Sequence, residues 1–385
     1  MKRTFKKIIL ANLFAITTIS LSAQDLNPIP IAAPSLTIAP DARAGGMGDA
    51  GVATAPDVYS QYWNPAKYAF SPSKAGFGIS YTPWLRKIVN DVALLNAVGY
   101  YKLGSENNQA LSASIRYFSV GNINIFDMGG SPLGAVDPYE MAIDLGYSRK
   151  LTPTFSLSAA VRFIHSDYSA LEDDTSASTW AADIAGYNES YINLGSSESL
   201  LSFGFNISNI GGKLDNPSGT TSNFIPTNMR LGASLMYPMN DVSTLSLSVD
   251  ANKLLVPTPP TLANSGSAEQ YEKDYQDYMN TNSISGIFKS FGDAPGGFSE
   301  EMKEIMWSIG AEYNYDRKFS LRTGYFHEDK SKGNRRYVSF GAGFKMSAFQ
   351  LDAAYMVATA SQSPLDQTLR FSLAFDLDGL KNLMN

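Results

Sequence analysis

Apolar and polar residues alternate strictly in fourteen short segments between about residue 75 and residue 377. In the last segment, the residues at every second position are Leu369, Phe371, Leu373, Phe375 and Leu377. The residues between them are Arg370, Ser372, Ala374 and Asp376. Because successive side chains of a strand point to opposite faces, each segment predicts a strand with one apolar and one polar face. Fourteen such strands joined by turns predict an all-β fold, a closed antiparallel barrel with lipid outside and a polar lumen.

The predicted strands make up one barrel domain at residues 75–377, and the segment near 180–191 has the weakest alternation. Their bounds are 75–83, 91–103, 109–120, 138–150, 154–167, 180–191, 199–210, 228–238, 242–254, 304–315, 319–326, 336–346, 348–355 and 367–377. Every second connection is short, whereas most of the others are long, and the longest spans residues 255–303. Outer-membrane barrels combine short periplasmic turns with long extracellular loops. We therefore expect a 14-stranded transmembrane β-barrel in a Gram-negative outer membrane, with a periplasmic C-terminal tail at residues 378–385.

Charged residues of both signs fall on the polar faces of the predicted strands. They are Arg116, Arg162, Arg230, Arg322, Arg370, Asp144, Asp250, Glu312 and Asp352. On the lipid side near the middle of a bilayer each would cost about 2–4 kcal/mol, so we expect them to face the lumen. They indicate either a polar conduit or a network of ion pairs that fills the barrel.

The first 23 residues have the pattern of a secretory signal peptide. Basic residues precede a short apolar stretch at 8–19, and small residues lead to a cleavage position before Gln24. The chain has no cysteine, two histidines and a net charge of −6. This composition rules out disulfides and thiolate metal sites and counts against a nucleic-acid partner. We expect an exported protein without a metal or another cofactor.

The connection at residues 255–303 is the largest departure from a minimal barrel. Residues 268–279 predict a helix with Tyr271, Tyr275 and Tyr278 on one face. A second apolar segment contains Ile284, Ile287, Phe288 and Phe291, and a glycine-rich stretch at 292–297 precedes a helical turn at 299–302. Loops longer than about 15 residues usually carry a function or are disordered. The apolar residues predict either folding back over the barrel mouth or a docking surface for another protein.

Residues 24–74 precede the first strand and are predicted to form a strap and a hatch. Four prolines between residues 24 and 42 predict an extended strap on the periplasmic side. Residues 44–53 are rich in glycine and alanine, which permit close packing and unusual backbone angles, so we expect a plug inside the lumen. Their Gly-x-Gly-x-x-Gly spacing matches a dinucleotide fingerprint, but no strand precedes it and no βαβ unit follows. The predicted hatch residues are Gly45, Gly46, Gly48, Gly51, Asn64, Pro65 and Ala66.

The two histidines are the natural candidates for a general base in nucleophilic catalysis. His165 is adjacent to Ser166, and His327 is adjacent to Glu328. Neighbouring residues on a strand point to opposite faces, so His165 and Ser166 are poorly placed to form a nucleophilic pair. We expect no catalytic residues and no enzymatic activity.

The segment ahead of the barrel carries a resemblance to known families. Residues 44–51, followed by Asn64-Pro65-Ala66, resemble the N-terminal hatch of the long-chain fatty acid transporter (FadL-like) family of outer-membrane proteins, whose barrels have fourteen strands. Within that family, the chain resembles the PorV-type (LptO) proteins of the Bacteroidetes type IX secretion system. The resemblance runs through most of the mature chain and is most specific at residues 41–70 and 290–302.

This resemblance implies a role in protein transport at the cell surface. Proteins of this type bind secreted cargo by its C-terminal signal domains at the translocon barrel. They deliver it to an attachment complex, where a sortase-type partner links it to anionic lipopolysaccharide. The outer loops are then the expected partner-binding surface, with Trp84, Leu85, Tyr271, Tyr275, Phe288, Phe291 and Phe298 as its candidate residues. The alternative is an outer-membrane transporter of fatty acids or other hydrophobic solutes.

Overall fold

Fourteen antiparallel strands form a closed barrel in the computed structural model, which describes residues 27–168, 176–216, 221–360, 363 and 365–379. Each strand pairs with its neighbours in chain order, and the first pairs with the last. The strands are β1 (Ala75–Pro83), β2 (Ala93–Leu103), β3 (Gln109–Ser119), β4 (Tyr139–Lys150), β5 (Phe155–Asp167), β6 (Ala177–Leu194), β7 (Ser197–Gly211), β8 (Asn228–Asn240), β9 (Ser243–Leu254), β10 (Ile305–Tyr315), β11 (Phe319–His327), β12 (Arg336–Lys345), β13 (Phe349–Ala358) and β14 (Leu369–Asp376). The predicted 14-stranded barrel is confirmed, and the strand ends lie within three residues of the predicted ends.

The long connections lie at one end of the barrel, the long-loop end, and the short turns lie at the other, the short-turn end. Exposed aromatic side chains form a belt on the outer wall near each end. The belt at the long-loop end contains Tyr117, Trp180, Trp307, Tyr325 and Tyr355. The belt at the short-turn end contains Tyr101, Tyr147, Tyr315 and Phe319. An apolar wall between two aromatic belts is typical of a barrel that spans a bilayer.

Helices occupy much of the connection between β9 and β10. They are Leu262–Ser265, Ala268–Asn280, Ser283–Lys289 and Phe298–Glu301, followed by the 3-10 turn Met302–Glu304. The helix predicted at 268–279 is confirmed, and the hydroxyl of Ser267 caps it by accepting a hydrogen bond of 3.1 Å from the Gln270 N–H. None of the described helices is long and apolar enough to cross a membrane. Two hairpins in other long connections were not predicted, Ile123–Phe126 with Pro132–Val136 and Leu214–Asp215 with Ser222–Asn223.

Residues 27–74, here called the inner segment, run through the lumen from the long-loop end to the start of β1. Its elements are the 3-10 turn Pro34–Thr37, the short helices Ala42–Gly45 and Ser60–Trp63, and the 3-10 helix Pro65–Phe70. At its beginning, the Asn27 N–H donates to the Ser331 carbonyl over 2.9 Å, beside the long loops. At its end, the Ser71 carbonyl accepts a hydrogen bond of 2.6 Å from Lys102, which lies at the short-turn end of β2.

The prediction of a strap on the periplasmic side is therefore wrong for residues 27–42. Their prolines give the expected extended path, but Ala33 and Leu36 are buried at the long-loop end with Ile164 and Ile225. Burial of these apolar side chains in the mouth of the barrel fixes the position of the strap. The predicted signal peptide at 1–23 and residues 380–385 of the predicted tail lie outside the described residues.

Candidate functional site

Backbone groups of the inner segment are held by polar side chains of the barrel wall. Asp250 of β9 accepts hydrogen bonds from the N–H groups of Gly51 at 2.7 Å and Val52 at 2.9 Å. Ser339 of β12 accepts one from the Gly48 N–H at 2.8 Å. Buried backbone N–H groups need such partners, and this irregular segment has no sheet of its own to supply them. The polar inner face of the barrel therefore takes the place of secondary structure.

Small residues let the inner segment lie directly against its surroundings. Gly48 has a φ of 67°, which favours glycine, and a Cβ atom there would lie 2.5 Å from the backbone nitrogen of Tyr325 in β11. The other predicted hatch glycines are placed as follows: Gly45 beside Arg370, Gly46 beside Gly341, and Gly51 beside the ring of Trp63. The glycine-rich stretch is thus packed between the wall and the rest of the inner segment.

The Asn64-Pro65-Ala66 turn ties the second half of the inner segment to β5 and β6. The Asn64 amide donates to the Gly186 carbonyl over 2.9 Å, and its oxygen accepts from the Ala66 N–H over 3.1 Å. Pro65 then begins a 3-10 helix, and the Ala66 carbonyl accepts from the Ser156 hydroxyl over 2.8 Å. The structure therefore brings all seven predicted hatch residues together inside the lumen.

Most of the predicted inward charges form ion pairs around the inner segment. Arg322 binds Glu312 and Asp352, at 2.6 Å each. Arg43 of the inner segment binds the same Glu312 at 3.0 Å and Asp57 at 2.8 Å. Two more sets are Arg162 with Asp144 and Asp183, and Arg370 with Asp49. Buried charges that are mostly paired with one another indicate a filled barrel rather than a polar conduit.

Two predicted inward arginines bind an aromatic ring and carbonyls instead of carboxylates. The guanidinium groups of Arg116 and Arg230 lie 4.7 Å and 4.5 Å from the centre of the Tyr62 ring. Arg116 also donates to the carbonyls of Ser35 and Ile38, at 2.9 Å and 2.8 Å. Both arginines thereby fix the inner segment to the wall by cation–π contacts and hydrogen bonds.

The inner segment divides the space inside the barrel. On the long-loop side lies a chamber of about 60 Å³, lined by Tyr62, Arg230, Met306 and other residues. On the short-turn side lies an open cavity of about 660 Å³, with Arg43 in its lining. No lining residue is common to the two spaces.

Buried lysine–glutamate pairs anchor the end of the long connection between β9 and β10. Lys253 binds Glu301 at 3.0 Å and Glu304 at 2.5 Å. Lys332, from the connection between β11 and β12, binds Glu304 at 2.9 Å and Glu300 at 2.5 Å. The cluster joins two long connections to the rim of the barrel, so this part of the outer surface is held in a defined position.

Asp293 belongs to the same cluster but has no cation of its own. One of its oxygens accepts a hydrogen bond of 3.2 Å from the Thr258 N–H, and the other is buried without a partner among the described residues. Burial, together with the negative charges of Glu301 and Glu304, raises the pKa of Asp293 to about 6. This carboxyl group therefore titrates close to neutral pH.

The candidate partner-binding residues of the long connection are mostly exposed. The side chains of Phe288 and Phe298 are 75% and 79% exposed, and Phe291 is 51% exposed. The rings of Tyr271 and Tyr275 stack on the surface of their helix, with centroids 6.1 Å apart. The connection thus presents uncovered apolar side chains, as a docking surface would.

Trp84 and Leu85, the other two candidates, have a different environment. Both are half-buried and pack against a hydrophobic cluster in the mouth of the lumen that includes Met306 and Phe326. Trp84 also lines the chamber above the inner segment. The structure therefore places these two residues over the lumen and leaves the phenylalanines of the long connection exposed.

An exposed hairpin in the connection between β3 and β4 was missed by the sequence reasoning. Its side chains Phe126, Met128 and Leu133 are 58%, 111% and 62% exposed. The sequence does indicate this hairpin, since Phe126 and Leu133 flank the turn-forming residues 127–131. The hairpin is a second apolar surface at the long-loop end.

The histidine geometry offers no built catalytic centre. His165 Nδ1 lies 2.8 Å from the Ser178 hydroxyl on β6, and both residues lie at the long-loop end of the outer wall. Ser166, its neighbour in sequence, is buried. Backbone N–H groups beside the pair belong to the β ladder and do not converge on an oxyanion site. Among the described residues, no group of three or more His, Asp or Glu could hold a metal ion.

Solved structures with the same architecture define the fold class. One structure of the toluene transporter TodX from Pseudomonas putida is 10% identical, covering 88% of this chain and 97% of that one, with a TM-score of 0.53. Another TodX structure is 11% identical over 86% and 96% of the two chains, with a TM-score of 0.50. A FadL homologue from Pseudomonas aeruginosa is 11% identical over 91% and 99%, with a TM-score of 0.45. The TodX likeness shows the fold, a closed β-barrel like that of this toluene transporter.

The sequence assigns the chain to a particular family within this class. The family model of the type IX secretion system protein PorV matches residues 21–261, more than half of the 385 residues. The chain therefore belongs to the PorV family and is an outer-membrane component of the type IX secretion system. PorV proteins and barrels of this class are transport and secretion components rather than enzymes. No curated protein matches the chain.

Proposed function

We propose that this component is a carrier for exported proteins. It binds cargo by C-terminal signal domains at the translocon barrel of the type IX system. It then delivers the cargo to the sortase-type attachment complex, which links it to lipopolysaccharide at the cell surface. Residues 1–23 would direct export of the chain itself, and the barrel would hold it in the outer membrane. The chain makes and breaks no covalent bond in this scheme.

The observation that carries this proposal is the filled lumen. The inner segment is bound to the wall by side chains from many strands, including Asp250, Asn206, Arg230 and Arg370. The chamber above it has a volume of about 60 Å³. Binding sites for small molecules usually measure roughly 300–1,000 Å³. Of the two luminal spaces described above, only the open cavity on the short-turn side of the inner segment reaches this size. A barrel closed in this way is suited to holding a partner at its surface rather than passing a solute.

The inner segment would act as the hatch of this carrier. Gly45, Gly46, Gly48 and Gly51 supply its close packing, and Asn64, Pro65 and Ala66 form its second anchor. A closed lumen keeps periplasmic solutes inside while large cargo is handled at the outer surface. The hatch therefore lets the protein handle cargo at the outer surface without making the membrane permeable to solutes.

The binding surface would be the long connection between β9 and β10. Phe288, Phe291 and Phe298 are exposed, while Lys253 and Lys332 hold the end of the connection in place. Exposed aromatic residues on a fixed frame are frequent anchors of protein interfaces. Deleting residues 262–300 as a whole would also remove Asp293 and Glu300 from the anchoring cluster, so substitutions are the sharper test.

The test compares two variants, each with three exposed apolar residues replaced by serine. Phe288→Ser, Phe291→Ser and Phe298→Ser together should reduce cargo retained on the purified protein by at least about tenfold, because several interface anchors are lost. The control carries Phe126→Ser, Met128→Ser and Leu133→Ser in the exposed hairpin and should retain cargo normally. Heat-modifiable migration in gels checks that both barrels are folded. Unchanged retention by the first variant, or loss in the control alone, would refute the assignment of the surface.

A transporter of hydrophobic solutes is the second candidate, and the fold favours it. The chamber contains the apolar side chains of Met306, Phe326 and Met356 beside the cation of Arg230, a pairing suited to an amphiphile. The chamber would have to enlarge several-fold to admit an amphiphile. Uptake of labelled fatty acid that falls when the chain is deleted, with secretion unchanged, would favour the transporter and contradict the carrier.

A further inference from the structure

Three side chains form a row across the outer wall at the long-loop end. Trp307 of β10 is directly opposite His327 of β11, and His327 is opposite Arg336 of β12. Their chain neighbours Met306 and Phe326 are buried in the lumen. Because alternate residues of a strand face opposite sides, the row points away from the barrel, at the level of the aromatic belt. This is the depth at which lipid headgroups meet a membrane protein.

Arg336 gives the row a positive charge. It donates to the Asn334 side chain over 3.1 Å, and no carboxylate of the described residues forms an ion pair with it. Lys303, four residues before Trp307 in the chain, is exposed. Burial raises the pKa of Asp329, but hydrogen bonds from Ser331 and the charges of Lys303 and His327 outweigh this and lower it. Asp329 is thus a negative group close to Lys303, while Glu300 and Glu304 of the same rim are already bound to Lys332.

Below the row, towards the middle of the membrane, the wall is apolar. The next outward row consists of Ile309, Tyr325, Val338 and Val357, in register on four adjacent strands. The row after that contains Phe340 and Tyr355, which are also exposed. The tilted rings of Tyr325 and His327 lie 6.2 Å apart and connect the apolar wall to the cationic rim. One surface therefore offers cations above and apolar contacts below.

We propose that this surface binds a phosphate-bearing acyl lipid of the outer leaflet. The planar guanidinium of Arg336 can donate two parallel hydrogen bonds to a phosphate group, and Lys303 and His327 supply further donors. Acyl chains lie along the rows of Tyr325 and Phe340, and Trp307 covers the edge of the headgroup. The assignment requires only that the barrel stands in the outer membrane, and it is independent of cargo binding.

The experiment uses the full chain reconstituted in nanodiscs of zwitterionic lipid that contain lipid A with its phosphates. After transfer to detergent, native mass spectrometry measures the fraction of protein that retains lipid A. Arg336→Gln should lower that fraction about tenfold, the loss expected when one charge-assisted contact is removed. The matched control is Arg149→Gln, an exposed outward arginine at the short-turn end of β4, which should behave as the native protein.

Two further arms separate the lipid from simpler explanations. The native protein should retain dephosphorylated lipid A no better than the Arg336→Gln variant does. Free inorganic phosphate should not release the bound lipid, because it lacks the acyl contacts. Lys303→Gln, at an exposed position outside the strands, should also weaken retention without affecting folding. Equal retention by the native protein and Arg336→Gln, or release by inorganic phosphate alone, would overturn the proposal.

Discussion

Gly48 is the residue at which the inner segment depends most strictly on side-chain size. Its φ of 67° and the Tyr325 backbone beside it leave no room for a Cβ atom. Gly48→Ala should therefore displace the segment and raise single-channel conductance in planar bilayers. The cost combines roughly 1–2 kcal/mol for the left-handed backbone with the steric clash.

The matched control for this prediction is Gly104→Ala. Gly104 lies in a short turn with a φ of 75°, and nothing lies within 4 Å of a Cβ atom built there. Gly104→Ala carries the same cost of a left-handed backbone without the steric clash. The conductance of this variant should therefore stay at the native level. If the two variants conduct equally, contact between the inner segment and β11 does not close the barrel.

Asp293 gives the outer connection a dependence on pH. Its pKa is raised to about 6, so the folded connection holds a proton that the unfolded chain releases at lower pH. Its stabilising contribution is complete below about pH 4 and is lost as the pH rises through about 6. Hydrogen exchange in residues 255–304, corrected for intrinsic rates, should show more protection at pH 5 than at pH 7.

Asp293→Asn keeps an acceptor for the Thr258 N–H and cannot titrate in this range. The gain in protection at pH 5 should therefore disappear in this variant. The same pH response in Asp293→Asn and the native protein would mean that other groups control it.

At the scale of elements, strands could be predicted from sequence because one property, burial on one face, repeats every second residue. The alternation of apolar and polar residues is weakest in the strand near 180–191, and the structure shows the reason. Its register with β7 shifts between Ala182 and Ile184, and Asn209 on the facing strand has a φ of 60°. A bulge of this kind interrupts the alternation that the prediction depends on.

The path of the inner segment could be predicted only in part. Small residues at Gly46 and Gly48 indicated close packing, and the polar faces supplied the anchors Asp250 and Ser339. The strap was assigned to the wrong end because prolines define an extended chain but not its destination. The destination depends on packing in the hydrophobic cluster that includes Leu36 and Ile225, residues that are remote in sequence and share no local pattern.

The long connection between β9 and β10 should lose its fixed position when Lys332 is removed. Lys332→Met deprives Glu300 and Glu304 of a buried partner, a change that typically costs about 3–5 kcal/mol. Limited proteolysis within residues 262–300 should become faster. Lys318→Met is the control, since its pair with Asp316 is exposed and screened by solvent, so its loss should leave the cleavage rate unchanged. Equal cleavage rates in the two variants would contradict an anchoring role of the cluster.

At the scale of the whole molecule, the barrel and the inner segment form one packed unit. Ion pairs, cation–π contacts and hydrogen bonds tie the segment to the wall, and the chamber left on the long-loop side is small. In addition to the apolar outer wall, the long connections carry exposed apolar residues, as Phe298 and Phe126 illustrate. A closed barrel with such a surface fits a secretion component that handles proteins outside the membrane.

The most direct test of this account identifies what the protein holds in its native membrane. The chain is purified from outer membranes of actively secreting cells, and the co-purifying species are quantified by mass spectrometry. We predict cargo proteins with C-terminal signal domains and the translocon barrel, with cargo depleted in the Phe288, Phe291 and Phe298 triple variant. Recovery of lipids alone, together with normal secretion in cells that lack the chain, would contradict the carrier function.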